Sequence, residues 1–175
     1  KALSDLKNQG RTKAIGIGSK DWEVISRVIE YVDLDWIMLA NSLTIMNHPP
    51  QLLAFIEKLA GKGVAIINSA VFHGGFLTGS SYYDYRLITP ESDGPKFRWR
   101  EKFYSICRKH NVIPSVACVN FGLTPPGVAA ISLNTSNPDR VKDNVESVLA
   151  KVPEKFYSEM VKEGLISKEY PWLNI

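Results

Sequence analysis

The chain has 175 residues, 45% of them hydrophobic, and a formal net charge of +3 spread without a basic run. This supports one sizeable core and argues against a nucleic-acid surface. No apolar segment reaches the roughly 20 residues of a bilayer span and none resembles a signal peptide, so a cytoplasmic protein with no membrane partner is expected. The two cysteines, Cys107 and Cys118, lie in apolar helical surroundings and are expected to stay reduced as core filler. Residues 2–6 already read as helix, so the chain opens in mid-element and an upstream portion is expected.

Residues 1–8 read as the last turns of an amphipathic helix stopped at Gly10, in the manner of a glycine C-cap. A short strand follows over residues 13–17, directed by Ala14, Ile15 and Ile17, with Gly16, Gly18 and Ser19 at its carboxyl end. Asp21 is placed to cap a helix whose Val24, Ile25, Val28, Ile29 and Val32 follow helical spacing. Asp35 leads into a second strand, residues 36–40, which closes on Asn41, Ser42 and Thr44. Pro49 and Pro50 start a helix with Leu52, Leu53, Ile56, Leu59 and Ala60 on one face, ended by Gly61 and Gly63. Val64, Ala65, Ile66 and Ile67 then form a continuous apolar run suited to a strand buried on both faces of a parallel sheet. Asn68, Ser69, His73, Gly74 and Gly75 follow it. Backbone amides can approach a ligand closely there, at the end where parallel α/β folds place their chemistry. The alternative is an ordinary βα turn that uses glycine only for geometry.

Residues 80–96, with Tyr82, Tyr83, Tyr85, Pro90, Gly94 and Pro95, read as a long loop after this third strand, of the kind that serves as a lid. Helices are expected over residues 99–109 and 114–123, the second stopped by Pro125 and Pro126. Residues 128–133 form the fourth strand. Asn134, Thr135, Ser136 and Asn137 then lead to Pro138 at a helix entry, where unpaired amides make a ready anion site. Val141, Val145, Val148, Leu149 and Val152 are expected on the buried face of that helix, and a last amphipathic helix follows over residues 154–164.

Four strands alternating with helices, each polar at its carboxyl end, imply α/β architecture with a parallel sheet. A closed (β/α)8 TIM barrel needs twice that number, so the chain supplies about its second half, four βα units plus a C-terminal helix. Gly16-Ile17-Gly18 lacks the third glycine of a dinucleotide-binding open sheet. A lone half-barrel would expose two strand edges and much of the apolar interior, so another half is expected to complete it. His48, His73 and His110 share no metal-ligand spacing, and no serine-histidine-aspartate pattern is present.

Three separated motifs occur in the order and spacing of one family. They are Leu3-x-x-Leu6-Lys7-x-x-Gly10-x-x-x-Ala14-Ile15-Gly16-Ile17, Gly74-Gly75-Phe76-Leu77-Thr78-Gly79, and Ser136-Asn137-Pro138-x-x-Val141-x-x-Asn144. Over nearly its whole length the chain resembles the carboxyl-terminal half of the aldo-keto reductases. Within that family it is most similar to aldose dehydrogenases acting on L-fucose, D-threo-aldoses or L-galactose. The resemblance implies that residues 1–175 are the C-terminal half of a single barrel domain, with the N-terminal half of the same barrel as partner. It implies an NAD(P)-dependent oxidoreductase moving a hydride between nicotinamide and the carbonyl or lactol carbon of a sugar or aldehyde substrate. The catalytic tyrosine, lysine, aspartate and histidine would come from the first half, so no catalytic residue is assigned here.

To this half the resemblance assigns most of the cofactor site. Gly18 and Ser19 fall at the nicotinamide carboxamide, where the family's usual serine-asparagine pair is altered, and Met38 occupies the place of a common glutamine. Ser69 stands where many members stack an aromatic on nicotinamide, a role Phe72 could take over. Ala70, Phe72, His73 and Gly74 match the pyrophosphate-covering loop, where backbone amides matter more than side chains. Asn134, Thr135 and Ser136 match the loop that grips the adenosine phosphate, Arg140 faces the 2′ position, and Asp143 and Asn144 meet the adenine edge. A guanidinium favours a 2′-phosphate, whereas Asn134 replaces the lysine common in strictly NADP-dependent members, so NADP or NAD is expected. His73 either touches a phosphate or sits solvated in its loop, and Arg140 with Asp143 is either a ligand contact or a solvated helix face. The alternative to an enzyme is a non-catalytic NAD(P)-binding subunit or an incomplete half-barrel without activity of its own.

Overall fold

A computed structural model describes residues 1–173 and 175. Helix α1 (Ala2–Asn8) precedes the first βα unit, β1 (Gly16–Ser19) with α2 (Trp22–Val28). The second is β2 (Trp36–Ala40) with α3 (Pro50–Gly61), and β3 (Ala65–Ser69) opens the third. A 3-10 turn (Phe76–Thr78), a hairpin of β4 (Tyr82–Tyr83) and β5 (Arg86–Leu87), and helices α4 (Pro90–Lys109) and α5 (Pro114–Gly122) then lead to β6 (Val128–Ser132). Helices α6 (Arg140–Leu149) and α7 (Glu154–Lys162) complete the chain.

Local chemistry sets these boundaries. The Asp21 carboxylate accepts the Glu23 amide at 3.0 Å and caps α2. Gly63, at φ +71°, stops α3: its amide donates to the Ala60 carbonyl while that of Val64 donates to Leu59. This glycine-dependent pair of bonds turns the chain straight into β3. Strand β1 begins at Gly16, later than expected, because the amide of Ile15 donates to Asp35 at 2.8 Å, beside the Lys7 ion pair with the same carboxylate.

The main sheet runs β1-β2-β3-β6, all parallel, with Ile37 opposite Ile66 and Ser69 opposite Ser132. Ile37, Leu39, Ile66 and Asn68 are fully buried toward the helices, among Leu52, Ile56, Leu59, Cys118 and Phe121. Asn68 is the polar member of that layer. Its amide nitrogen donates to the carbonyls of Leu43 and Gly122, both at 3.0 Å, tying the turn after β2 to α5. The opposite sheet face, with Trp36, Met38, Ala65 and Ile67, is only half buried, and the Trp36 indole lies where a side chain on Gly16 would project. Among the described residues no strand pairs with the outer edge of β1 or β6, and no helix is long and apolar enough to cross a membrane.

Two expectations need correction. Residues 80–96 are not a long loop: they form the hairpin and the start of α4. Thr89 and Ser92 build a reciprocal cap, Thr89 Oγ1 accepting the Ser92 amide at 3.3 Å and Ser92 Oγ the Thr89 amide at 3.2 Å, with Pro90 at the first helical position. Asp93 bends the helix at φ −131° and holds Lys96, Ser92 and Arg86 of the hairpin at 2.9, 2.8 and 2.7 Å. Those contacts, Lys96 foremost, keep its carboxyl far below the usual range. The second correction concerns α6. It meets α5 through its small-residue side, where Asn120 donates to the Ser147 carbonyl at 2.9 Å. Val141, Val145, Val148 and Leu149 are consequently turned outward and exposed rather than buried.

Candidate functional site

The carboxyl ends of β2, β3 and β6 open on a cleft of about 960 Å³. After Ser69 the chain passes through left-handed conformations at Ala70 (φ 55°), His73 (φ 49°), Gly74 (φ 68°) and Gly75 (φ 90°). Such a run coils the backbone tightly, with the Gly75 and Leu77 amides both donating to the Phe72 carbonyl at 3.1 Å. Arg100 of α4 supports the bend from beneath. Its Nη1 donates to the carbonyls of Phe76 and Ser80 at 3.2 and 2.9 Å, and its guanidinium lies 4.4 and 4.7 Å from the rings of Phe76 and Phe97.

The facing wall descends from β6 into α6. Thr135 Oγ1 accepts the Asn137 amide at 3.1 Å, and Asn137 Oδ1 accepts that of Asp139 at 3.0 Å, so Asn137 performs the capping that Asp139 does not. Arg140, at the first helical position, enters no ion pair among the described residues. Between the two walls the amides of Phe72, Gly74, Thr135 and Ser136 donate to no protein acceptor among the described residues. Four unused amides and a free guanidinium along one cleft fit an elongated anionic ligand such as a dinucleotide.

Nine of the expected site residues line this cleft: Ala70, Phe72 and Gly74 on one wall, and Asn134, Thr135, Ser136, Arg140, Asp143 and Asn144 on the other. Gly18 and Ser19 do not. They stand on β1, one strand beyond β2, and Ser19 Oγ accepts the Asp21 amide at 3.0 Å. Ser69 lies half buried beneath the lining. The His73 side chain is neither solvated nor turned to the cleft, and both expectations for it are corrected. It is fully buried, with Nδ1 2.8 Å from Asp84 Oδ1, Nε2 2.7 Å from Thr44 Oγ1, and its ring stacked on Tyr83 at 4.6 Å. Burial, with the charges of Asp84 and Asp93, pushes the Tyr83 phenol up to about 12. That hydroxyl stays protonated through the neutral range.

Thr44 continues the chain of contacts. Its carbonyl accepts His48 Nδ1–H at 3.1 Å, and His48 Nε2 accepts the Ser167 amide at 3.1 Å. A line of hydrogen bonds thus runs from Asp84 at the cleft rim to the C-terminal segment. Tyr85, which the sequence placed in a lid-like segment, lines the cleft, and sequence reasoning missed Asn41, Asp84, Ser115 and Ser132 in the lining. Asp84 and Tyr85 form the two-residue hairpin tip, at φ 47° and 72°. The short β-prone pairs Tyr82-Tyr83 and Arg86-Leu87 were the available signal for it.

Comparison with known proteins matches residues 1–163 to the family model described as the Aldo/keto reductase family. The chain belongs to the aldo/keto reductase family. The resemblance read from its motifs therefore holds, and an aldose dehydrogenase is among its relatives. Over 167 residues this aldo/keto reductase chain is 26% identical to the pyridoxal 4-dehydrogenase of Microbacterium luteolum, covering 95% of itself and 48% of that protein. Over 174 residues it is 28% identical to the D-threo-aldose 1-dehydrogenase of a Pseudomonas species, covering 94% of itself and 50% of that protein. Its fold is similar to that of the aldo-keto reductase AKR11C1 from Bacillus halodurans in its holo form, with a TM-score of 0.67 at 19% identity over 97% of this chain and 57% of that one. It is also similar to the thermostable aldo-keto reductase Tm1743 in complex with the inhibitor epalrestat, with a TM-score of 0.62 at 15% identity over 94% and 52%. The chain spans about half the length of the two dehydrogenases it matches, and its α/β fold is part of a (β/α)8 barrel.

Proposed function

We propose that this chain is the cofactor-binding half of an NAD(P)-dependent oxidoreductase acting on an aldose or related aldehyde. The observation that carries the reading is the cleft itself, in which unused backbone amides and the Arg140 guanidinium line one continuous trough. Bound there, the dinucleotide would supply the hydride acceptor or donor for the carbonyl or lactol carbon. The amides of Phe72, Gly74, Thr135 and Ser136 hold the anionic centre, Arg140 meets the 2′ position, and Asp143 with Asn144 meets the adenine edge. The aldose relative supports the substrate class. The buried free thiols of Cys107 and Cys118 suit a reducing, cytoplasmic compartment.

The N-terminal half of the same barrel is the partner in this reading, and it brings the catalytic tetrad. The outward valines of α6 and the unpaired edges of β1 and β6 support it. The same observations favour a second reading for residues 1–175 taken alone, as a part that binds NAD(P) without turnover. Titration of NADP and NAD followed by tryptophan fluorescence tests the cofactor assignment. Arg140→Ala is expected to weaken NADP by about ten- to a hundredfold, the range of a lost charge-assisted hydrogen bond, and NAD far less. Equal weakening of both would remove Arg140 from the 2′ position. Absence of saturable quenching by either dinucleotide from the full chain would overturn the function.

A further inference from the structure

Four buried polar side-chain atoms have no hydrogen-bond partner among the described residues: Asn41 Oδ1, Asn68 Oδ1, Arg100 Nε and Tyr157 OH. Only Asn41 of these lines the cleft. Its backbone is fully engaged, the amide donating to the Ser69 carbonyl at 3.3 Å and the carbonyl accepting Asn47 Nδ2 at 3.4 Å. Its side chain differs from the other asparagines near the site. Asn68 and Asn120 each donate to two carbonyls and Asn137 accepts an amide, whereas no protein group meets either polar atom of the Asn41 carboxamide among the described residues. The residue is 8% exposed and held at φ 58°. A buried acceptor left without a donor is destabilising, and so is a left-handed backbone at a residue other than glycine. Both occur together at one cleft-lining position, immediately after β2.

The order of strands says which part of a ligand reaches this residue. Along the sheet the strands run β2, β3, β6, so the lining runs from Asn41 through the 70–75 loop and the 134–136 turn to Arg140. With Arg140 at the 2′ position of the adenosine and the pyrophosphate on the amides between, Asn41 lies at the opposite end. This placement rests on the dinucleotide reading above. A carboxamide offers a donor and an acceptor side by side, which suits another primary amide and not a phosphate, whose oxygens would leave Oδ1 unanswered. We infer that the Asn41 carboxamide pairs with the carboxamide of the nicotinamide ring, donor to acceptor in both directions.

The test compares NAD(P) with its 3-acetylpyridine analogue, in which a methyl group replaces the carboxamide nitrogen, by fluorescence titration of the full chain. Asn41→Gly suits the left-handed backbone and removes the amide, while Asn41→Asp keeps the shape and replaces the donor by an acceptor. The unsubstituted protein is expected to prefer the natural dinucleotide by about tenfold, the equivalent of one hydrogen bond. Asn41→Gly is expected to bind the two dinucleotides with equal, weakened affinity, whereas Asn41→Asp, which still accepts the carboxamide N–H but no longer donates to its oxygen, is expected to bind both more weakly while keeping a preference for the natural one. Retention of the original affinity and preference by Asn41→Gly overturns the assignment. So does an unchanged cofactor affinity accompanied, once the variant is joined to the N-terminal half, by a raised KM for an aldose, which would transfer the amide to a substrate hydroxyl. If the unsubstituted protein binds neither dinucleotide, the cofactor reading itself falls, and a protein that binds both with no preference removes the amide pairing alone.

Discussion

At the scale of single residues, Thr44 joins two histidines, meeting His73 through its hydroxyl and His48 through its carbonyl. A carbonyl only accepts and a backbone amide only donates, so His48 is fixed as the neutral tautomer with its proton on Nδ1. Its ring sits 5.3 Å from Phe121 and 5.4 Å from Tyr170, and burial moves its pKa down despite the Thr44 contact. The unfolded chain therefore binds this proton more readily than the folded one. The contribution of His48 is complete above its unfolded value of about 6.5 and is lost as the pH falls below it. Urea unfolding is expected to show stability declining as the pH falls below about 6.5, above the range where Asp35, Glu91, Asp93 and Glu159 titrate. His48→Phe, which keeps the ring and removes the titration, should flatten that decline; an unaltered slope would assign it elsewhere. None of this was legible in the sequence, because His48 and Ser167 meet across 119 positions and His73 and Thr44 across 29.

Among the elements, α6 and α4 show where local signals were sufficient and where they were overruled. The valine stripe of α6 was correctly read as one face of a helix, but its direction depends on the Asn120–Ser147 contact with α5, which periodicity does not contain. An exposed apolar stripe of this kind is expected to be covered in a completed barrel. Val145→Glu should therefore lower the stability of residues 1–175 alone by no more than about 0.5 kcal/mol, as at an ordinary surface position. Joined to the upstream half, the same change should cost about 2 kcal/mol or more for burying a charge. Thermal denaturation of both forms makes the comparison, and an equal effect in the two would mean that nothing covers α6. In α4, Gly94 and Pro95 read as breakers, and the helix does kink immediately before them at Asp93, whose ion pairs with Arg86 and Lys96 hold the bend.

For the whole molecule, the alternation of strand and helix was enough to give a parallel sheet, and polar residues after each strand marked the end that holds the cleft. Which strand ends meet there was not readable, since pairing of β3 with β6 bypasses two intervening strands and two helices. The two free edges and the half-covered face of Trp36, Met38 and Ile67 predict that residues 1–175 alone associate. Sedimentation should reveal species larger than one chain that grow with concentration; a single-chain mass across the range would show that the edges are protected. The long crossover from Ser69 to Val128 has a separate consequence. It is a little more than twice the length of the crossover from Ala40 to Ala65, and closure entropy rises by only about 0.6 kcal/mol per doubling of a flexible loop. The bend, the hairpin and the long helix that props them are thus accommodated for less than a typical hydrogen bond contributes. In a parallel sheet, the space between two neighbouring strands is where equipment can be added most cheaply.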